Sequence, residues 1–412
     1  MSEPAGYTQS VGPPFAVLMT GQFNRVLGWS MLILGIGGMI FSEPWIFASE
    51  DPAALIGSSQ MQLRHAQGVL LAMALLQLVI GYVLNTNTFS GSFRSWASLL
   101  TGLAAITYTG GYVLLLLFSF GGTLVLLGSL LNLTVFAWAL RREIGGIAAT
   151  QIRLILVVLC FGMCLDLVSG LITVFPDVFH PAWLGSQDDV RLRMLRLARV
   201  AGIGLPVLTL LFFDLVDRTR ATGRIVDLGQ RGFVVGAMAM PSTLAMACFF
   251  FVEIKYLLTI PSTAVCVGSL VACVVSWKHG AWLEKFAWIV ITLSLFGGMI
   301  TGMYAFDGPF PAPESVAHYQ VTARRLMRVG HAFAIVFGML SLFIAQRLRA
   351  PQWGGPMNQI GVVFYLSGMA LSLAMMAAFV FAGVPHWSLG IGPATMLIGL
   401  VCCASRSPSP AA

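Results

Sequence analysis

Twelve apolar runs, each about 20 residues long, follow one another along this chain with short polar breaks between them. A hydrocarbon core about 30 Å thick is crossed by about 20 residues of helix. Inside lipid a backbone has to satisfy its own hydrogen bonds, so each run predicts a transmembrane α-helix. The predicted spans are 25–47, 64–85, 96–118, 120–140, 151–175, 199–217, 232–254, 256–277, 284–305, 329–347, 358–382 and 387–405. Composition agrees: the 412 residues are 58% hydrophobic and 9% charged, with a mean hydropathy of +0.86, where soluble domains carry about 25% charge. The reading is therefore an all-α integral membrane protein, one membrane domain over residues 1–412.

The softest boundaries lie where the third span meets the fourth and the seventh meets the eighth, marked only by Phe120-Gly121-Gly122 and Glu253-Ile254-Lys255. No base precedes Arg25, so the N-terminus lacks the basic start of a cleaved signal and the first run is expected to stay as a helix. All seven cysteines fall inside predicted spans, which argues against a disulfide framework, and no Cys-x-x-Cys pair suggests zinc. Counting loops alternately from a cytoplasmic N-terminus puts most of the 23 Lys and Arg inside. That bias predicts both termini on the cytoplasmic side of a bacterial inner membrane. The net charge of +7 then reads as positive-inside topology, with no nucleic-acid partner. The bases expected outside are the exception: Arg64, Arg191, Arg193, Arg196, Arg199, Arg324, Arg325 and Arg328 crowd just before the second, sixth and tenth spans. They call for something anionic on that face.

Two of the six histidines enter apolar runs directly behind these bases, His65 after Gln62-Leu63-Arg64 and His331 after Arg324-Arg325-Leu326-Met327-Arg328-Val329-Gly330. Ionisable side chains in a membrane segment are costly and mark function by default. If the two helices meet, the imidazoles would clamp one metal from opposite sides, and haem iron is the natural candidate for two neutral nitrogens. Taken alone, either histidine reads more readily as a side chain bonded to a neighbouring backbone; it is the pairing, on the same side and each behind bases, that favours a ligand. Arg324, Arg325 and Arg328 are candidates for haem-propionate partners or lipid-headgroup contacts, and His386 for a propionate donor or an ordinary loop residue. His180 and His318 fall in outer loops, and His279 beside Lys278 reads as a solvated inner-loop residue.

Spans two, six and ten are four apart, which divides the chain into three units of four helices, about 25–140, 151–277 and 284–405. Arg196-Leu197-Ala198-Arg199-Val200 and Arg325-Leu326-Met327-Arg328-Val329 repeat the pattern Arg-Leu-x-Arg-Val, and the first unit matches more loosely through Leu63-Arg64-His65. Gly202 occupies in the second unit the position that His331 holds in the third.

In these features the chain resembles subunit I of the haem-copper oxidases and nitric oxide reductases, whose twelve helices form three four-helix arcs. That family's second helix carries a low-spin haem ligand followed sixteen residues later by Gly and then Asn, as Gly81 and Asn85 follow His65 here. Gly297-Gly298-Met299-Ile300-Thr301-Gly302 is similar to its ninth-helix Gly-Gly-x-x-Gly, and Gly383-Val384-Pro385-His386-Trp387 looks like a remnant of the segment that meets the haem propionates. The resemblance implies one low-spin b-type haem on His65 and His331. It also puts the high-spin ligand position on Val329.

No histidine occurs between Arg199 and Phe251, so the three imidazoles that a copper centre takes from the sixth and seventh helices are missing. The only acids well inside spans are Asp166 and Asp214. The expectation is therefore an electron-transfer or scaffold subunit of a respiratory complex, without copper and without O2 or NO reduction of its own. Its partners would be other membrane subunits and a c-type cytochrome or quinol at the outer face. The other class the residues allow is a haem-free structural or transport subunit with an oxidase-like bundle.

Overall fold

A computed structural model describes residues 21–47, 59–85, 91–118, 120–142, 149–185, 189–305, 322–349 and 355–404. Within them lie twelve helices long and apolar enough to cross a membrane, and no strand. They are α1 (Gly21–Phe47), α2 (Ser59–Asn85), α3 (Gly91–Leu114), α4 (Gly121–Leu140), α5 (Ala149–Val174), α6 (Val190–Thr219), α7 (Arg224–Phe249), α8 (Thr259–His279), α9 (Trp282–Ala305), α10 (Thr322–Leu348), α11 (Pro356–Ala382) and α12 (Ile391–Ala404). Short 3-10 turns at Val252–Leu258 and His386–Gly390 lead into α8 and α12. The end at which odd-numbered helices begin is called the lower end here, the opposite one the upper end.

All twelve expected spans correspond to helices; α3 and α7 begin five and eight residues before their expected spans at the lower end, and the shifts that bear on the basic clusters lie at the upper starts of α2, α6 and α10. There the helix begins five to nine residues before the apolar run, so the bases expected in loops sit on helical turns. Hydropathy marks only the part of a helix that lipid surrounds. The first turns of α6 are amphipathic instead, with Met194, Leu195 and Ala198 fully buried against Leu184, Leu244 and Cys248 while Leu197 and Val200 face outward. The repeated Arg-Leu-x-Arg-Val is thus helical in both copies, but its faces are used differently. Leu326 and Val329 of α10 are buried where Leu197 and Val200 of α6 are exposed.

Each helix packs on the next in sequence, α12 returns to α1, and α2, α6 and α10 touch one another in the middle. Small residues permit the closest approaches: a Cβ at Gly202 of α6 would lie 2.7 Å from the Cα of Gly162 on α5, so the two backbones meet there. Buried amides and hydroxyls tie α1, α2 and α3 near the lower end, where Asn24 Nδ2 donates to Gln77 Oε1 at 2.6 Å and Ser98 Oγ donates to Asn24 Oδ1 at 2.6 Å.

The lower half of the bundle is close-packed. Every residue of α10 from Phe337 to Ala345 is buried, and Phe212, Phe233 and Trp288 meet there with ring centroids 4.9–6.2 Å apart. A charge cluster closes the lower end. Asp214 of α6 accepts from Arg218 Nε at 2.7 Å, Gln346 Nε2 of α10 at 2.8 Å and the Tyr82 hydroxyl of α2. Fully buried Glu284 of α9 accepts from Arg218 at 2.8 Å, from Arg349 and from the Ala281 N–H. Two carboxylates and two guanidiniums balance one another, which is how charge is tolerated at membrane depth.

Candidate functional site

The upper half of α10 is built differently. Residues 331–336 are all at least partly accessible, and six residues at 100° each sweep more than one full turn. Neighbours nevertheless stand around this helix, since α2, α6, α9 and α11 all contact it. Of all consecutive pairs, α10 and α11 pack together least. A Cβ added at Gly297 or Gly302 of α9, Gly204 of α6 or Gly68 of α2 would meet nothing within 4 Å, and one at Gly330 would first meet Leu373 at 3.9 Å. The upper part of α10 is thus more loosely packed than the stretch from Phe337 to Ala345.

His331 stands at the start of this looser part, half-buried. Its Nδ1 lies 2.6 Å from the backbone oxygen of Ser294 on α9, and the Ser294 hydroxyl donates to the His331 carbonyl at 2.7 Å. A ring nitrogen facing a carbonyl must carry the proton, so this contact fixes the tautomer and leaves a lone pair on Nε2. The ring is laid over Gly298, where a Cβ would come within 2.5 Å of Nε2. Gly298 belongs to the Gly-Gly pair noted in the sequence, and its lack of a side chain makes room for the imidazole. Ser294, one turn earlier on the same helix, carries no sequence signal that would have paired it with His331.

His65 is exposed on the second turn of α2. Two residues on, Gln67 faces α1 through a 2.8 Å bond from Ser42, and two helical positions differ by 200°, so His65 points away from α1. α2 and α10, which carry the two histidines, are neighbours, but the contacts that hold the His331 ring are with α9 rather than α2.

Arg324 and Arg325 are 2% and 4% exposed on the first turn of α10, and Arg328 is half-buried one turn below. His386 is exposed on the 3-10 turn before α12. Leu389 of that turn packs with Leu326 and Val329, which brings the His386 segment alongside the basic turn of α10. Val329 thus spends its side chain on packing. Gly202, the second unit's counterpart of His331, lies at the backbone contact with Gly162, where no imidazole fits. His318 lies outside the described residues; His180 is half-buried beyond α5, and His279 is exposed as the last residue of α8.

Among the described residues no group of three or more His, Cys, Asp and Glu side chains converges on one point. Comparison with protein-family models, with curated proteins and with solved structures finds no match.

Proposed function

We propose that the chain is a b-type cytochrome-like subunit with the subunit I architecture, carrying one low-spin haem between His65 and His331. On this reading it transfers electrons, or serves as a scaffold, within a respiratory complex of the bacterial inner membrane. The observation that carries it is the loosely packed upper part of α10, headed by an imidazole whose tautomer is set with Nε2 as the lone-pair nitrogen. Accessible residues on every side of the upper half of α10 leave room for a bulky group there, and the two buried arginines on its first turn fit that group's carboxylates. The ring of α12 back to α1 and the central meeting of α2, α6 and α10 support three four-helix arcs.

The residues present fit such a haem with one adjustment. His65 and His331 would hold its iron, and Arg324, Arg325, Arg328 or His386 would meet its propionates. A shared iron requires the His331 ring to swing off Gly298 towards α2 while Nδ1 keeps its bond to the Ser294 carbonyl. Held by two imidazoles, the haem would supply one-electron transfer. The upper face would be periplasmic, where a c-type cytochrome or a quinol donates, and both termini would be cytoplasmic.

A second reading rests on the same asymmetry. A bundle loosely packed above and clasped below by Asp214, Arg218, Glu284 and Arg349 also has the form of a haem-free transport subunit closed at one end. An absorption spectrum of the purified protein, produced with ample haem, separates the two: reduced b-type bands support the cytochrome, and a colourless protein supports the alternative.

A further inference from the structure

We propose that Asp166 is a proton-binding site inside the membrane, filled from the upper face past Tyr112 and Arg199 and completed by water held at Asn132. The inference stands on the α3–α6 side of the bundle and does not depend on haem.

Asp166 of α5 is 2% exposed and lies six residues, about 9 Å of helix rise, below the upper end of its span at Ile172. Two hydroxyls donate to it, Tyr108 of α3 at 2.6 Å and Ser129 of α4 at 2.5 Å. Hydroxyls both give and take protons, so these contacts hold the carboxyl in either protonation state. The charged partner is loose by comparison. Arg199 of α6 approaches Asp166 at 3.4 Å through a single nitrogen, longer than the 2.7–2.9 Å of a tight charge-assisted bond. The same nitrogen reaches the Tyr112 hydroxyl at 3.5 Å. With its side chain 17% exposed, Arg199 connects the buried carboxyl to accessible surface.

Asn132 is the second observation. It lies on the same buried face of α4 as Ser129, three residues further towards the lower end, and is 0% exposed. Neither its amide nitrogen nor its oxygen has a hydrogen-bond partner. A bare buried amide is costly, and bound water is the usual remedy. The charged and titratable groups facing Asp166 are Tyr108 and Tyr112 from α3 and Arg199 from α6; α4 presents Ser129 and Asn132, and towards α7 the neighbouring Leu165 packs with Leu244, Ala245 and the Cys248 thiol.

The test is infrared difference spectroscopy on the full-length protein in lipid nanodiscs as the medium is acidified, in H2O and in D2O. The expected result is a protonated-carboxyl C=O band that appears on acidification, shifts in D2O and is missing in Asp166→Asn. Asn132→Leu, which removes the water's anchor, is expected to displace the band and the midpoint of its appearance. If the wild-type protein shows no such band between about pH 4 and 9, or if Asn132→Leu leaves band and midpoint unchanged, the cluster is a structural ion pair and the proposal is overturned. Because the Asn132 arm uses a neutral replacement, it remains decisive even where Asp166→Asn fails to fold.

Discussion

His331 Nδ1 lies 2.6 Å from the Ser294 backbone oxygen, and that single contact decides which ring nitrogen of His331 is available to anything else. The bond comes from the main chain of α9, so it does not depend on which side chain occupies position 294. Ser294→Ala removes only the hydroxyl's contacts, with the His331 carbonyl and, at 3.2 Å, with Nδ1, and is expected to cost about 1 kcal/mol. Thermal unfolding in detergent checks it; a loss several times larger would show that the hydroxyl, rather than the carbonyl, holds the helix pair.

Gly298→Ala is the sharper variant, because the added methyl collides with the imidazole ring. Without haem it is expected to cost about 1–3 kcal/mol by overpacking. With haem bound, the ring has turned towards α2 and the penalty shrinks. Comparing the unfolding temperatures of haem-supplied and haem-depleted preparations reads the difference. An equal penalty in both would mean that the ring stays on Gly298 throughout.

The lower charge cluster yields a graded expectation. Glu284 is fully buried with two guanidinium partners, so Glu284→Ala strands both and is expected to cost about 3–5 kcal/mol. Arg349 is 39% exposed, and Arg349→Ala is expected to cost about 1 kcal/mol or less. Unfolding of the two variants side by side tests this ordering, and a reversed order would remove the clasp from the account.

Gly202→His asks whether the second unit can be given a ligand at the place matching His331. The 2.7 Å between a Cβ at Gly202 and the Gly162 Cα leaves no room. The variant is therefore expected to fold poorly or to part α5 from α6, and to gain no second haem. A well-folded variant with doubled haem content would contradict the packing described here.

The helices were legible in the sequence because lipid leaves the backbone a single economical solution, and twelve apolar runs translate directly into twelve spans. His65 of α2, and His331 and the arginines of α10, stood out for the same reason, as polar groups where polarity is costly. What escaped was whatever depends on rotation about a helix axis. His331 faces α9, Leu197 and Leu326 point to different environments despite a shared motif, and Glu284, at the very edge of a predicted span, is fully buried. Asn132 carried no signal at all, since one amide in an apolar run reads the same whether it faces lipid, water or a carboxylate.

A reduced-minus-oxidised absorption spectrum of the purified, haem-supplied protein, recorded with and without CO, decides whether His65 and His331 share a haem. Sharp low-spin b-type bands that CO leaves unchanged are expected, lost or turned high-spin and CO-reactive in His65→Ala and in His331→Ala, and intact in His180→Ala and His279→Ala. A colourless wild-type protein, or a low-spin spectrum that survives in both His65→Ala and His331→Ala, would contradict a shared haem.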